Sequence, residues 1–150
     1  MTSDLDDRSR FARMRVAADA PTARRTRVEF RGWLETHFRL GAERLQDLVL
    51  AVSEAIANAA EFAYADMSQH GTIDVSAAYD VESDTLAVRV DDRGRWHTHA
   101  SDQAPPDRQF RGRGIPLMRA LADEAKIDPT PRGTHVTLTW KRLTFPGSTI

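Results

Sequence analysis

Two polar side chains stand one helical turn apart in the stretch SEAIANAAEFAY, residues 53–64. Glu54 is a carboxylate that could accept a proton, and the amide oxygen of Asn58 is a hard donor of the kind that magnesium takes as a ligand. Residues at this spacing lie on the same face of a helix, so both could face one ligand. The same pair could also belong to an ordinary solvated face, so the helix alone leaves both interpretations open.

An apolar stripe predicts which side of this helix is buried. Apolar residues recur at three- and four-residue steps through the helix and the residues before it, which is typical of an amphipathic helix. The stripe consists of Leu45, Leu48, Val49, Val52, Ile56, Ala59 and Ala63. Glu54 and Asn58 project to roughly the opposite side. A functional role for the pair therefore needs a second feature elsewhere in the chain.

Two further short stretches contain residue types that suit a nucleotide. In VDDRG, residues 90–94, Asp92 leaves a strand and could present its carboxylate in a pocket, while Gly94 would let a planar ligand approach the backbone. In GRGIPLM, residues 112–118, two glycines precede a helix whose free N–H groups suit phosphate oxygens. Each stretch alone could equally be a turn or a connector.

The elements that must position these residues follow from hydrophobic periodicity and turn residues. We predict a strand, a helix, the SEAIANAA helix, a hairpin of two strands, a long loop, a helix and a strand. Apart from the SEAIANAA helix, the predicted ranges are about 11–19, 23–38, 71–81, 85–92, 93–113, 115–125 and 133–140. This order predicts an α+β fold, with a layer of helices against one face of a mostly antiparallel sheet. A loop as long as the predicted one is usually functional.

Composition limits the remaining possibilities. With 150 residues, 41% of them hydrophobic and 29% charged, the chain suits one globular domain, which we place at 11–142 between flexible tails at 1–10 and 143–150. A net charge of −1 gives no overall attraction to nucleic acid or to an anionic membrane. The absence of cysteine excludes disulfides and thiolate chemistry. Without a signal-peptide pattern or an apolar run near about 18 residues, we expect a cytoplasmic protein.

The order and spacing of four motifs resemble those of a known family. The motifs are ExxxN on a helix, DxG after a strand, GxG before a helix and GT at the last strand. Together they resemble the Bergerat-type ATP-binding fold shared by gyrase, Hsp90, histidine kinases and MutL, and SEAIANAAEFAY is most similar to the serine/threonine kinases that act as anti-sigma factors. The resemblance covers about residues 11–142. It implies a two-layer α/β sandwich with a mixed, mostly antiparallel sheet, in which ATP and Mg²⁺ bind between the helices and the sheet, beneath a long ATP lid loop.

The resemblance implies a role for each matching residue. Glu54 would be the catalytic base, Asn58 the magnesium ligand, and Asp92 the acceptor of the adenine amino hydrogen. The other implied residues are Gly94 beside the adenine ring, Gly112, Arg113 and Gly114 near the phosphates, Thr134 whose hydroxyl supports Asp92, and Arg27 at the partner-docking surface. Two of these keep an alternative, since the Arg113 side chain could point to solvent and Arg27 could belong to a solvated helix face.

The family also implies a function. The chain would be an ATP-dependent serine/threonine protein kinase that phosphorylates an anti-anti-sigma (STAS-type) protein and sequesters a sigma factor, as a homodimer and without direct contact with nucleic acid or membrane. Two alternatives remain. Phe62 replaces a frequent histidine and Trp96 the second glycine of DxGxG, which favours a non-catalytic ATP-binding adaptor. A detached histidine-kinase catalytic domain shares ExxxN, but the sequence shows no phosphoacceptor helix pair.

Overall fold

The structure, a computed structural model, describes residues 7–62, 71–93 and 114–144. Within these ranges the elements are, in chain order, β1 (Arg10–Ala17), α1 (Ala20–His37), α2 (Ala42–Phe62), β2 (Thr72–Asp80), β3 (Thr85–Asp92), α3 (Gly114–Leu121), β4 (Glu124–Thr130) and β5 (Gly133–Trp140). The predicted lid falls outside the described residues from position 94 to position 113.

The strands form one sheet in the order β1-β2-β3-β5-β4, and each neighbouring pair of the described strands is antiparallel. α1 packs against β1, α2 packs against β2, β3 and β5, and α3 packs against α2 and β4. Alternate residues of the central strands are buried beneath the helices, which is the pattern of a sheet covered on one face. The predicted α+β sandwich with helices on one side is confirmed.

The core lies between α2 and the central strands. The fully buried residues of α2 are Leu48, Ala51, Val52, Ala55, Ile56 and Ala59, which include most of the predicted stripe. Facing them are Ile73, Val75 and Ala77 of β2, Leu86, Val88 and Val90 of β3, and Val136, Leu138 and Trp140 of β5. Complete burial of one large aliphatic side chain stabilises the fold by about 1.5–3 kcal/mol, so this layer is the main source of stability.

One strand was missed and one helix was predicted too long. The interval 115–125 was expected to be helical throughout, but α3 ends at Leu121 and β4 begins at Glu124. β4 pairs with β5 from Glu124↔Thr139 to Thr130↔Gly133, and this hairpin pairing with the next strand overrides a weak local helix preference. Pro129 is tolerated because β4 is an edge strand, where one N–H has no neighbour to bond.

α1 begins before its predicted start at residue 23. Its first residue is Ala20, and the carboxylate of Asp19 caps the helix by accepting a hydrogen bond from the backbone N–H of Thr22 at 2.8 Å. Pro21 lies in the first turn, where its missing N–H has no partner to lose. The capping aspartate is the signal that a prediction based on apolar spacing did not use.

The described domain is wider than the predicted range 11–142 at both ends. The backbone oxygen of Asp7 accepts a hydrogen bond from Trp33 Nε1 at 2.6 Å, and the Arg8 guanidinium lies over the rings of Phe38 and Tyr79. At the other end Leu143 is buried in the core. Part of each expected tail is therefore packed against the domain.

Asp84, in the β2–β3 turn, forms hydrogen bonds with the turn that follows β5. Its carboxylate accepts hydrogen bonds from the Tyr79 hydroxyl at 2.6 Å and from the backbone N–H and hydroxyl of Thr144 at 3.0 and 2.9 Å. Burial alone would raise the pKa of Asp84, but the hydrogen bonds from Tyr79 and Thr144 outweigh it and hold the pKa below its ordinary value. Burial and the bond to Asp84 raise the pKa of Tyr79.

We expect Asp84 to contribute stability that depends on pH. A carboxyl whose folded pKa is lowered contributes its full stabilisation above the unfolded pKa of about 4 and loses it as the pH falls through the folded pKa. Asp84→Asn should therefore lower the urea midpoint at pH 7, and the difference from the native protein should shrink below about pH 4. Asp80→Asn is the control, because Asp80 is exposed on the same hairpin and accepts from Ser83. A native–variant difference that stays constant down to pH 3 would contradict this role.

Candidate functional site

α2 turns Asn58 into the interior and leaves Glu54 partly buried. Asn58 is only 4% exposed, although it is polar and lies next to the apolar stripe. None of the described residues offers a hydrogen-bond partner to its Nδ2 atom. Leaving a buried amide N–H group unpaired costs about 1–3 kcal/mol, so this nitrogen is expected to meet a bound ligand or an ordered water molecule. The solvated-face interpretation therefore does not hold for Asn58.

Asp92 and Asp91 end β3 and point to opposite faces of the sheet. Asp92 is 2% exposed and continues the buried series of β3 on the side that the helices cover. Asp91 lies on the open face, where its carboxylate contacts His135 Nδ1 at 2.9 Å and Arg89 at 3.4 Å. Strand alternation thus makes Asp92 the inward carboxylate of the pair.

β5 holds Asp92 from the neighbouring strand. The buried Thr134 donates its backbone N–H to Asp92 Oδ1 at 3.2 Å, whereas the resemblance implied support from the Thr134 hydroxyl. Gly133 has a φ of 142°, and a Cβ there would lie 1.9 Å from the backbone oxygen of Asp92. Only glycine fits this approach, so Gly133, which the sequence interpretation named only as part of the GT motif, has a structural role in the site.

α2 therefore carries a buried carboxamide, and the sheet that it covers carries a buried carboxylate. α2 packs against both β3 and β5, whose adjoining ends carry Asp92 and Thr134. In the described residues no three His, Asp or Glu side chains are placed to hold a metal. The carboxamide oxygen of Asn58 could serve as one ligand of a magnesium ion, which prefers oxygen donors.

Some predicted site residues lie outside the part of the chain that the structure describes. Gly114, which was expected just before the helix, is the first residue of α3. Gly94, Gly112 and Arg113 lie outside the described residues, and so does Trp96. Phe62 is the last residue of α2.

Arg27 lies on a different surface, beside a groove between α1 and α2. The groove has a volume of about 430 Å³ and is lined by Ala20, Ala23, Arg24, Arg27, Ser53, Ala57, Ala60 and Glu61. α2 therefore presents Asn58 to the interior and Ala57 with Glu61 to the groove. Among the described helices, none is both long and apolar enough to cross a membrane.

The family comparison covers most of the chain. The model of the histidine kinase-like ATPase domain matches residues 16–140. Among curated proteins, the serine-protein kinase RsbW of Staphylococcus aureus is 26% identical over 147 residues, with 90% of this chain and 89% of that protein covered. The serine-protein kinase RsbW of strain bovine RF122 / ET3-1 is 27% identical over 135 residues, with 82% of each covered.

Solved structures give the same result. The RsbU and RsbW domains of Rv1364c from Mycobacterium tuberculosis align with a TM-score of 0.65 at 28% identity, covering 87% of this chain and 32% of that one. This chain thus spans about a third of that longer protein. The SiaB-SiaC complex from Pseudomonas aeruginosa aligns with a TM-score of 0.63 at 10% identity, covering 86% of this chain and 88% of that one. At this low identity the similarity supports only the fold of this chain. The predicted resemblance is confirmed, and the chain belongs to the family of histidine kinase-like ATPase domains, with serine-protein kinases of the RsbW type among its relatives.

Proposed function

We propose that this chain is an ATP- and Mg²⁺-dependent serine/threonine protein kinase that acts as an anti-sigma factor. The observation that carries the proposal is the buried, unpartnered amide of Asn58 one turn from Glu54, in a fold whose family is named for an ATPase. Rotation of the amide by half a turn exchanges its nitrogen and oxygen, so the oxygen can face a metal from the same position. The names of the curated relatives support the kinase activity.

Each described site residue would have a distinct task. ATP supplies the phosphoryl group, and Mg²⁺ neutralises charge on the phosphate oxygens. Asn58 would hold the metal, and Asp92 would orient the nucleotide through the adenine amino group. Glu54 would align the incoming seryl or threonyl hydroxyl and take its proton as the oxygen bonds to the γ-phosphorus. The bond from this phosphorus to the oxygen that bridges to the β-phosphate would break, and ADP would leave. Thr134 and Gly133 would hold Asp92 in place.

The partners would be a sigma factor and an anti-anti-sigma (STAS-type) protein, bound by a homodimer in the cytoplasm without direct contact with DNA or membrane. Phosphorylation of the anti-anti-sigma protein would release it and leave this chain free to sequester the sigma factor. The α1–α2 groove with Arg27 on its wall is the surface that we assign to partner docking. A second candidate, a non-catalytic ATP-binding adaptor, is favoured by Phe62 and Trp96.

The first test of the kinase separates chemistry from binding. Glu54→Gln keeps the size of the side chain and removes the base, so phosphotransfer to a co-purifying STAS-type protein should fall by about 10²-fold or more. The affinity for Mg-ATP should stay within about threefold of native, because the base acts on the transition state. Phosphorylation rates and calorimetric titration measure the two quantities. Glu43→Gln, at an exposed position in the first turn of the same helix, is the control.

Three outcomes distinguish the candidates. Transfer at the native rate by Glu54→Gln would remove Glu54 from the role of base. Native protein that binds ATP but phosphorylates no partner would support the adaptor, and phosphate on histidine would indicate a histidine kinase.

Asn58→Ala should lose magnesium-dependent ATP binding while keeping the native melting temperature within a few degrees, because it removes an unpartnered buried amide.

The base preference of the site tests Asp92. The native protein should bind ATP more tightly than GTP, because guanine has a carbonyl oxygen where adenine has the amino group that Asp92 would recognise. Asp92→Asn should weaken ATP binding by about 1–3 kcal/mol, the cost of a mismatched buried hydrogen bond. Asp91→Asn, one residue earlier on the open face, should leave the affinity unchanged. Equal affinities of the native protein for ATP and GTP would exclude Asp92 from adenine recognition.

A charge reversal tests the docking groove. Arg27→Glu should weaken binding of the STAS-type protein or the sigma factor by about tenfold or more, the usual loss of an arginine anchor at an interface. The affinity of the Arg27→Glu variant for ATP should not change, because the groove and Asn58 lie on different sides of α2. Arg31→Glu on the same helix is the control, since Arg31 does not line the groove and pairs with Glu35. Equal partner affinities of the two variants, measured by surface plasmon resonance, would refute this assignment.

A further inference from the structure

Arg93 ties the end of β3 to β2 on the open face of the sheet. It directly follows Asp92, so strand alternation sends the two side chains to opposite faces. The Arg93 guanidinium donates to Asp74 Oδ2 at 2.9 Å and to the Thr72 hydroxyl at 3.4 Å. The residue next to the proposed adenine contact is thus held by an ion pair that lies on the other side of the sheet.

Asp74 is the second member of this ion pair and is only 8% exposed. Its Oδ1 atom accepts the backbone N–H of Arg15 at 2.7 Å. Arg15 has a φ of 56° and lies in the irregular part of β1, where the pairing with β2 shifts between Arg13 and Val16. The two oxygens of Asp74 therefore serve two different strands. A carboxylate this deeply buried needs both contacts, since an uncompensated buried charge is strongly unfavourable.

The same peptide of β3 is held from the β5 side. A Cβ at Gly133 would lie 1.9 Å from the backbone oxygen of Asp92 and 2.8 Å from the Cα of Arg93. Thr134 donates to the Asp92 carboxylate itself. The Asp92–Arg93 peptide is therefore fixed between β5 on one side and the Arg93–Asp74 ion pair on the other. Release of either contact would let the backbone of this strand end rotate, and the Asp92 carboxylate would rotate with it.

We propose that Asp74 and Arg93 are positioning residues that set the orientation of the Asp92 carboxylate and thereby the preference for adenine over guanine. This inference rests on the proposed function, because it takes Asp92 as the group that contacts the base. Recognition of a base by a side chain requires placement within about 0.5 Å, a tolerance that a strand end with one contact removed does not meet. Neither residue touches the nucleotide, since both side chains lie on the open face.

The test compares ATP and GTP affinity in variants of the full chain. Arg93→Gln removes the ion pair and should lower the ratio of ATP to GTP affinity by about tenfold, which corresponds to the loss of one well-placed hydrogen bond. The GTP affinity itself should stay within about twofold, because triphosphate contacts do not involve this corner of the sheet. Arg93→Lys should recover most of the ratio, because the ammonium can still reach Asp74. Calorimetric titration, with melting temperatures measured in parallel, gives each value.

The control is Arg89→Gln, which breaks a neighbouring ion pair with Asp91 on the same strand and the same face. Both arginine side chains are 53% exposed, so the two variants lose a similar surface contact. Arg89→Gln should keep the native ratio. A merely structural role of Arg93 would lower the melting temperature and the binding of both nucleotides equally, leaving the ratio unchanged, and that result would overturn the inference.

Asp74→Asn provides a second measurement and should lower the ratio as Arg93→Gln does. If Asp74→Asn fails to fold because the irregular segment of β1 loses its acceptor, Arg93→Gln still decides the question, since Arg93 donates to Asp74 Oδ2 whereas the backbone of Arg15 donates to Oδ1. A native ratio in the folded Arg93→Gln protein overturns the inference alone and leaves Asp92 as the base contact. A native protein without preference for ATP overturns the adenine role of Asp92 and this inference with it.

Discussion

The close packing of α2 on the sheet is the constraint on which the site depends. The buried side of α2 contains the alanines Ala51, Ala55 and Ala59, and their short side chains let the helix backbone approach the strands. Asn58 is buried on the same helix, next to residues that form the core. The same helix keeps Ala57 and Ala60 on its other side, where they leave space for the groove against α1.

Local sequence patterns predicted most of the helices and strands, because most of these elements have a recognisable hydrophobic periodicity or recognisable turn residues. The periodicity of α2, the alternation in β2 and β3 and the turn between those strands are all readable over a few residues. β4 carries no such signal, because its residues alternate only between half-buried and exposed and it contains Pro129. Its identity as a strand comes from hairpin pairing with β5 across the turn at Pro131 and Arg132, which the residue pattern of β4 itself does not reveal. The end of α3 was misplaced for the same reason.

Only the residues of the candidate site that belong to a recognisable motif could be predicted from the sequence. Glu54, Asn58, Asp92 and Thr134 came from the spacing of known motifs, and strand alternation separates Asp92 from Asp91. The need for Gly133 arises from the contact with the backbone of Asp92, which lies far away in the sequence. The partner of Arg93 is likewise 19 residues away on another strand. The contacts that position a motif residue come from residues far away in the sequence, so the motif does not reveal them and the structure does.

The irregular pairing of β1 has a consequence for how copies of this chain can meet. β1 and β4 are the two edges of the sheet, and an open edge is a template on which another strand can add. The shifted register and left-handed Arg15 disturb the row of N–H and C=O groups on β1. On β4, Pro129 lacks an N–H, and Glu124, Lys126 and Asp128 are exposed and charged. Both edges therefore disfavour the addition of a strand from a neighbouring molecule, which protects the chain from fibre-like growth. The helices and the open sheet face are then the surfaces for any self-association.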